Sequence, residues 1–334
     1  MDEFVLIENT IDRHGWLAEW PEMGALFHKI IAARPRHWRL PALACQAASG
    51  TLDQAAPALT ANACFHISII LVDDLLDDDP RGEHNRIGAP MVANLALAFA
   101  ATGMRLIASS DLEPTLRLVA LAEAAKMLYI TALGQSLDMQ NPSTEEGYWR
   151  LVEMKSAPFF CTAFYLGGLF GEIDPQTAPQ LKHLGRLYGE IIQIHDDLGD
   201  ALDTPANPDW LLGRASLPIL FAESVHHPQQ ARFIDLRRAI PLAETLAEAQ
   251  SILLQCGAIS YGIQQILQRY QDASDLLATM TLPSANVLQS LLDDLVRPIE
   301  VMFEQLSAHS ISIQVDQNRT LDSAKRTLVC YREW

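Results

Sequence analysis

The 334-residue chain has few of the features that mark secreted or nucleic-acid-binding proteins. Its five cysteines lie far apart and form no CxxC pair: Cys45, Cys64, Cys161, Cys256 and Cys330. This spacing argues against a disulfide framework or a thiolate metal site and is typical of reduced cytosolic thiols. The net charge of −17, without a basic stripe, argues against nucleic-acid binding.

Strand patterns are also scarce, because β-branched alternation is rare while Ala, Leu, Glu and Gln are plentiful. Asp2 and Glu3 occupy the place of a basic leader segment, so we expect no signal peptide. The longest weakly polar stretch, Met91 to Met104, is too short to span a membrane. The composition therefore predicts a soluble, all-α, cytoplasmic protein without a transmembrane segment.

The apolar periodicity predicts one amphipathic helix over much of residues 3–32 and a later helix with Asp53 as its N-cap. Further helices are expected from 218 to about 306, broken near Pro228, Pro241, Gly257 and Pro283. We predict a single domain over 1–306 and a C-terminal tail, 307–334, to which the sequence assigns no role.

Two acidic clusters carry the chemistry. The apolar run that begins at Phe65 ends in five aspartates within seven positions, where Asp73 and Asp77 have i, i+4 spacing and leave one helical face. A second apolar helical run ends in Gln193, Asp196, Asp197 and Asp200, with the same spacing from Asp196 to Asp200. Taken alone, either cluster is as typical of a solvated acidic helix end as of a functional site.

Together, the clusters indicate a metal site. Two carboxylates about 4 Å apart repel by roughly 4 kcal/mol at an effective dielectric near 20, so several in one apolar cavity need divalent cations. Oxygen ligands without His or Cys favour Mg²⁺, which keeps waters and substrate phosphates in its shell. We therefore expect the two clusters to face each other and bind a diphosphate through several magnesium ions.

Over residues 25–305 the chain resembles the trans-isoprenyl diphosphate synthases, the polyprenyl synthetase family. DDLLDD at 73–78 and QIHDDLGD at 193–200 look like its two aspartate-rich motifs. EMKSAPFF at 153–160, GQSLDM at 134–139 and GRASLPIL at 213–220 also resemble family segments. The resemblance implies an isoprenoid synthase-type helical bundle around a deep central cavity, and a homodimer.

The resemblance also implies roles for individual residues. Three magnesium ions would be held mainly by Asp73, Asp77 and Asp196, supported by Asp74, Asp197 and Asp200. Lys155 would bind the allylic diphosphate, while Ser156 and Gln193 would lie beside the developing carbocation. By position, Arg36, Arg39 and His66 correspond to contacts of isopentenyl diphosphate.

The basic part of the predicted site departs from the family. Where the family has paired arginines after the first motif, this chain has Gly82 and Glu83, flanked by Arg81 and Arg86. A lysine expected after the second motif is missing, and Arg214 is the candidate to replace a later one.

The lining upstream of Asp73 should set the length of the product. Ser68 and Ile69 lie one helical turn deeper and are not aromatic, whereas Phe65 and Phe99 are candidates to close the pocket further down. This pattern favours a product of about C15–C25 or longer, as the family resemblance implies.

We therefore predict a prenyltransferase that condenses an allylic diphosphate with isopentenyl diphosphate by Mg²⁺-assisted ionisation. Two alternatives stay open at this stage. A terpene cyclase on the same fold would need no isopentenyl diphosphate, and the missing arginine pair favours it. A non-catalytic partner subunit of a prenyl synthase would be expected to lose aspartates, yet both clusters are complete.

Overall fold

The computed structural model describes residues 2–141, 143–240 and 243–310, and their side chains apart from those of 208, 209 and 303–310. Within these ranges the chain forms helices and turns without a strand, which confirms the all-α prediction. The helices are α1 (Glu3–Asp12), α2 (Trp16–Glu19), α3 (Pro21–Ala32), α4 (Leu40–Ala47), α5 (Leu52–Leu76), α6 (His84–Ile87), α7 (Ala89–Ala108), α8 (Pro114–Asp138), α9 (Glu145–Lys155), α10 (Ala157–Phe170), α11 (Ala178–Leu202), α12 (Pro208–Leu212), α13 (Leu217–Ser224), α14 (Gln230–Ala239), α15 (Ala243–Gln255), α16 (Ala258–Thr279) and α17 (Ala285–Ser310), with a 3₁₀ helix at Arg36–Arg39.

The described residues fall into two compact units. The first unit contains those of 1–135, 154–189 and 275–289, and the second those of 136–153, 190–274 and 290–310. The single domain expected over 1–306 stays a prediction. Most of the proposed tail, 311–334, lies outside the described residues.

Helix α5 is the central helix of the first unit. It is buried at nearly every position from Ala55 to Ser68 and packs against α1, α4, α7 and α10. A helix that is apolar on all sides is stable only when other elements surround it. Thr51 caps its N-terminus in a capping box with Gln54. The prediction that Asp53 is the N-cap was therefore wrong, and Asp53 lies in the first turn of the helix.

The N-terminal segment is less regular than its periodicity predicted. The single helix expected over 3–32 is divided into α1, α2 and α3. Gly15 has a left-handed φ of 71° just before α2, and Trp20 is extended just before Pro21. Proline disfavours helical geometry in the residue before it, which accounts for the second break.

Two helices are long and apolar enough to cross a membrane by length and composition alone. They are α5 and α7, with mean hydropathies of 1.7 and 1.6 over their best windows. The prediction that the stretch from Met91 to Met104 is too short to span a membrane was based on too short a segment, because α7 extends beyond that stretch at both ends. The window of α5 is 78% buried, as expected of a core helix, whereas that of α7 is 44% buried.

Helix α10 packs so closely on α4 that one position has no room for a side chain. A Cβ on Gly167 would lie 2.3 Å from the carbonyl oxygen of Pro41 and 2.7 Å from Ala44 Cβ. A Cβ on the neighbouring Gly168 would instead meet the flexible end of Leu181, at 2.5 Å from its Cδ1. Backbone atoms cannot move away as a side-chain end can.

We therefore expect Gly167→Ala to lower the free energy of unfolding by about 2–3 kcal/mol, the usual cost of overpacking. Gly168→Ala should change it by less than about 1 kcal/mol, because the gain in helix propensity offsets the adjustment of Leu181. Urea unfolding of both variants measures the difference. Equal midpoints would contradict the assignment of this close approach.

Candidate functional site

The first aspartate cluster lies at the C-terminal end of α5. Asp73 Oδ1 accepts hydrogen bonds from Gln135 Nε2 at 2.5 Å and from Lys155 Nζ at 3.0 Å. The C-terminal end of a helix carries partial negative charge, so carboxylates there attract cations. Helix α5 thus presents Asp73 in a position that already binds one positive charge.

The loop after the first cluster folds back on Asp74. A Cβ on Gly82 would lie 3.0 Å from Asp74 Cβ and 2.6 Å from His84 Nδ1, so a larger side chain there would require the His84 ring to move. Burial raises the pKa of the Asp74 carboxyl to about 6, and the charges of Asp79 and Asp73 add to the effect. Asp77 is the C-cap of α5.

Lys155 and Ser156 lie where α9 meets α10. Lys155 is the last residue of α9, and Ser156 is the N-cap residue of α10. A Cβ on Gly134 would come within 2.5 Å of the Lys155 amide nitrogen, so α8 touches the chain at this junction. The glycine allows α8 to bring the neighbouring Gln135 to the same carboxylate as Lys155.

The predicted substrate-binding arginines of the first unit are exposed, and three of them bind acidic neighbours. Arg39 donates to Glu3 at 2.8 and 3.0 Å, and Arg81 donates to Asp79 at 2.7 and 3.1 Å. Arg36 is exposed in the 3₁₀ helix.

Glu83 is the acidic partner of Arg86, the third of these paired arginines. Its carboxylate accepts from Arg86 Nε at 2.7 Å and from Lys29 Nζ. The negative charge at the position of the family's arginine is therefore compensated within the protein, by cations from α6 and α3.

His66 lies in the aromatic core. It is 1% exposed, accepts from Trp38 Nε1 at 3.0 Å and has the ring of Phe159 at 5.0 Å between centroids. Burial lowers the pKa of His66 to about 3, so the imidazole is neutral near pH 7. Its contacts are those of a core residue, and the expected substrate contact stays a prediction.

The predicted chain-length residues line the interior of the first unit. Phe65, Ser68 and Phe99 are buried, and Ile69 packs beside the same hydrophobic core. The ring of Phe65 lies against Gly103 of α7, where an added Cβ would be 2.5 Å from Cε1. Phe65 thus packs between α5 and α7, and its role as the floor of a chain-length pocket stays a prediction.

In the second unit, Asp197 is buried and its carboxylate is hydrogen-bonded within the protein. Its carboxylate accepts from Gln193 Nε2 at 2.9 Å and from the backbone N–H of Leu217 at 2.8 Å. Leu217 begins α13, so the second cluster binds the start of the segment that follows Arg214. Tyr148 faces the same carboxylate, and burial, reinforced by the charge of Asp197, raises the pKa of Tyr148 well above its usual value.

Asp196 and Asp200 are partly exposed. Asp200 accepts from Asn207 Nδ2 at 2.9 Å. Arg214 Nη1 lies 4.0 Å from Asp138 Oδ2. Both acidic clusters thus end a helix, α5 in one unit and α11 in the other, and their meeting across a cavity stays a prediction.

A magnesium ion fits the donor set on each helix end. The donors are carboxylate oxygens, with an amide and an ammonium already bound to Asp73. In the part of the chain that the structure describes, no group of three His, Cys, Asp or Glu side chains is already arranged around a metal position. Mg²⁺ typically binds through one or two carboxylates plus waters and substrate phosphates, which agrees with this open arrangement.

Sequence reasoning missed three contributors: Gln135, Tyr148 and Glu3. Gln135 belongs to the quoted GQSLDM segment, yet its spacing alone assigned it no partner. The available signal was a polar side chain on a helix whose buried positions are otherwise small or apolar, such as Ala120, Ala124 and Met127. Nothing in the sequence pairs Glu3 with Arg39, because that contact depends on how α1 packs.

The fold and the two aspartate-bearing helix ends define an all-α enzyme of the isoprenoid synthase type. The Polyprenyl synthetase family profile matches residues 32–251, and the chain belongs to this family. Similar curated proteins are the short chain isoprenyl diphosphate synthase of Methanothermobacter thermautotrophicus, 28% identical over 77% of this chain and 83% of that protein, and the octaprenyl diphosphate synthase of Escherichia coli, 25% identical over 68% and 73%.

Solved structures share the fold. A polyprenyl synthase from Caulobacter crescentus, complexed with calcium and isoprenyl diphosphate, superposes with a TM-score of 0.77 at 20% identity, covering 88% of this chain and 94% of that one. A decaprenyl diphosphate synthase from Rhodobacter capsulatus gives a TM-score of 0.78 at 17% identity, covering 88% and 95%. These likenesses confirm the predicted fold class.

The contacts of Asp197 predict a stability effect. In Asp197→Asn one of the two acceptor oxygens becomes a donor, and it then faces another donor, either Gln193 or the Leu217 amide. We expect a loss of about 1–3 kcal/mol in the free energy of unfolding, the cost of an unsatisfied buried group. Denaturant unfolding measures it.

Asp235→Asn is the matched control, because Asp235 is 70% exposed and lies only 3.9 Å from Arg238. It should change stability by less than about 0.5 kcal/mol. Two variants of equal stability would contradict a structural role of Asp197.

Proposed function

We propose that this chain elongates an allylic prenyl diphosphate with isopentenyl diphosphate to give a longer trans-polyprenyl diphosphate. The supporting observation is the contact of Asp73, the first aspartate of DDLLDD, with both Lys155 and Gln135 in a member of the polyprenyl synthetase family. The curated relatives named above are chain-elongating synthases. Both acidic motifs are complete, which disfavours the non-catalytic subunit, and the named relatives are diphosphate synthases, which disfavours the cyclase.

The metal is proposed to be Mg²⁺, with three ions bound by Asp73, Asp77 and Asp196 and supported by Asp74, Asp197 and Asp200. When bound, Mg²⁺ supplies positive charge that stabilises the leaving pyrophosphate. Asp197 would act through its neighbours, because Gln193 and Leu217 already occupy its oxygens. The calcium in the Caulobacter complex agrees with a divalent-metal requirement.

The chain's own residues orient the reaction. Lys155 binds the allylic diphosphate, and Ser156 with Gln193 lines the position where the allylic cation develops. The allylic C–O bond breaks and releases pyrophosphate, the double bond of isopentenyl diphosphate attacks the cation to form a C–C bond, and the pyrophosphate takes up the proton that is lost. The buried face of α5 excludes water from the hydrocarbon tail, which extends past Ser68 and Ile69 towards Phe65 and Phe99.

Isopentenyl diphosphate is proposed to reach the cations of the first unit by exchange. Arg39, Arg81 and Arg86 are bound to Glu3, Asp79 and Glu83. The arginines of these pairs are 44–80% exposed and their carboxylates 11–21% exposed, so a diphosphate can approach the guanidinium groups from solvent and compete with the carboxylates. Arg36 is proposed as a further contact, as are His66, through its packing beside Trp38, and Arg214 in the second unit.

The activity is tested with purified protein, Mg²⁺ and geranyl, farnesyl or geranylgeranyl diphosphate, with and without isopentenyl diphosphate. A longer prenyl diphosphate should form only when both substrates and the metal are present, and EDTA should stop it. Asp73→Asn should lower kcat by about 10²-fold or more, because charge at the leaving group is then poorly stabilised. Asp53→Asn, exposed in the first turn of the same helix, is the control and should retain activity.

Hydrocarbon formed without isopentenyl diphosphate would overturn the proposal in favour of a cyclase. The product length measured in the same assay tests the expected C15–C25 or longer range. The relatives include both short-chain and octaprenyl enzymes, so their names do not decide it.

We also propose a homodimer in the cytoplasm. The exposed positions of α8 in the first unit form an apolar stripe with i, i+3 and i+4 spacing: Leu118, Ala122, Ala125, Tyr129 and Leu133. Leu118 and Tyr129 are each 69% exposed, and Leu97 of α7 is 71% exposed. Contiguous exposed apolar side chains mark an interface, and a two-fold axis covers identical patches on both copies. No disulfide joins the four cysteines within the described residues, as expected of a reducing compartment.

Light scattering after gel filtration tests the dimer. The wild type should have twice the chain mass, and the double variant Leu118→Arg, Tyr129→Arg should be monomeric, because buried unpaired charge opposes association. Leu267→Arg, at a 39% exposed leucine of α16, is the control and should stay dimeric. A monomeric wild type, or a dimeric double variant, would contradict this interface.

A further inference from the structure

We propose that Gln135 is a positioning residue that fixes Asp73 for a divalent cation, and that Lys155 occupies the place of that cation until it binds. The inference rests on the proposed function, because it takes Asp73 as a metal ligand. It assigns different tasks to two donors that bind the same oxygen, Asp73 Oδ1.

Gln135 is suited to hold the carboxylate permanently. It is 5% exposed, and its Nε2 donates to Asp73 at 2.5 Å. A neutral amide is not repelled when a cation arrives, and a buried amide loses a hydrogen bond if it turns away. With one oxygen of Asp73 bound to Gln135, the other oxygen, Oδ2, keeps a fixed direction.

Backbone packing keeps this arrangement rigid. A Cβ on Gly134 would lie 2.4 Å from the carbonyl carbon of Met154 and 2.5 Å from the amide nitrogen of Lys155. Helix α8 therefore touches the main chain where α9 ends. This contact fixes the distance between the residue that carries the amide and the residue that carries the ammonium.

Lys155 is suited to move. Its Nζ lies 3.0 Å from the same oxygen, its side chain is 22% exposed, and its four-carbon stem is flexible. An ammonium group and a divalent cation beside one carboxylate repel each other. Binding of the cation therefore releases Lys155 from Asp73, and its charge becomes available to the anionic diphosphate of the substrate.

The two residues should then have opposite effects on metal affinity. The probe is Mn²⁺ in the absence of substrate, with the free ion counted by electron paramagnetic resonance. Gln135→Leu should weaken Mn²⁺ binding by about 10-fold, the usual effect of removing a residue that orients a metal ligand. Lys155→Gln should tighten it several-fold, because a competing cation is lost.

Gln135→Met keeps an unbranched side chain without a donor and serves as the second variant if Gln135→Leu does not fold, as judged by circular dichroism. Gln140→Leu and Lys126→Gln, both exposed, are the matched controls and should bind Mn²⁺ as the wild type does. A thermal midpoint close to that of the wild type shows that an affinity change is not a loss of folding.

Weaker or unchanged binding in Lys155→Gln would overturn the exchange, and unchanged binding in both Gln135 variants would overturn the positioning role. Since the titration contains no substrate, it is independent of catalysis. A chain that bound Mn²⁺ as expected but did not elongate prenyl chains would refute the proposed function and leave this inference standing.

Discussion

The structure depends on placing several negative charges at the C-terminal ends of two helices, α5 and α11, where the helix dipole already opposes them. Each end is stabilised from within its own unit. In the first, Gln135 and Lys155 both donate to Asp73. In the second, Gln193 and the Leu217 amide donate to Asp197, and Asn207 donates to Asp200. These donors let the helices fold before any metal is bound, and Asp73 and Asp196 are only partly buried.

The acidic balance of the chain extends the same constraint to its cations. With 24 Lys and Arg against 41 Asp and Glu, few basic side chains can remain without an acidic neighbour. Glu83 is an example, because Lys29 and Arg86 both bind a carboxylate at a position where the family resemblance implied an arginine. The proposed site would therefore bind the substrate diphosphate more through the aspartates and their metal than through arginine, and this agrees with chain elongation despite the missing arginine pair.

Sequence alone was sufficient for the features that depend on local spacing. The aspartate motifs, the helix that carries Lys155 and the breaks near Pro228 and Gly257 follow from periodicity and from residues that end helices. The breaks at Gly15 and Trp20 were missed, because a continuous apolar pattern masked them. Gln135 on Asp73 and Glu3 on Arg39 were missed for another reason. An i, i+4 pattern shows which face a side chain leaves, but not which residue lies opposite.

Local helix geometry and tertiary packing together explain why the adjacent aspartates of each motif have different contacts. Neighbouring residues on a helix point about 100° apart, so Asp73 and Asp74 have different surroundings. Asp73 binds Lys155, while Asp74 contacts the loop that follows, at Gly82. Asp197 likewise contacts the segment that follows its motif, through Leu217, and Asp196 stays partly exposed. In both motifs one aspartate of the pair thus contacts the segment that follows, and the other is the one proposed as a main metal ligand. This division would give each of the two consecutive carboxylates its own task.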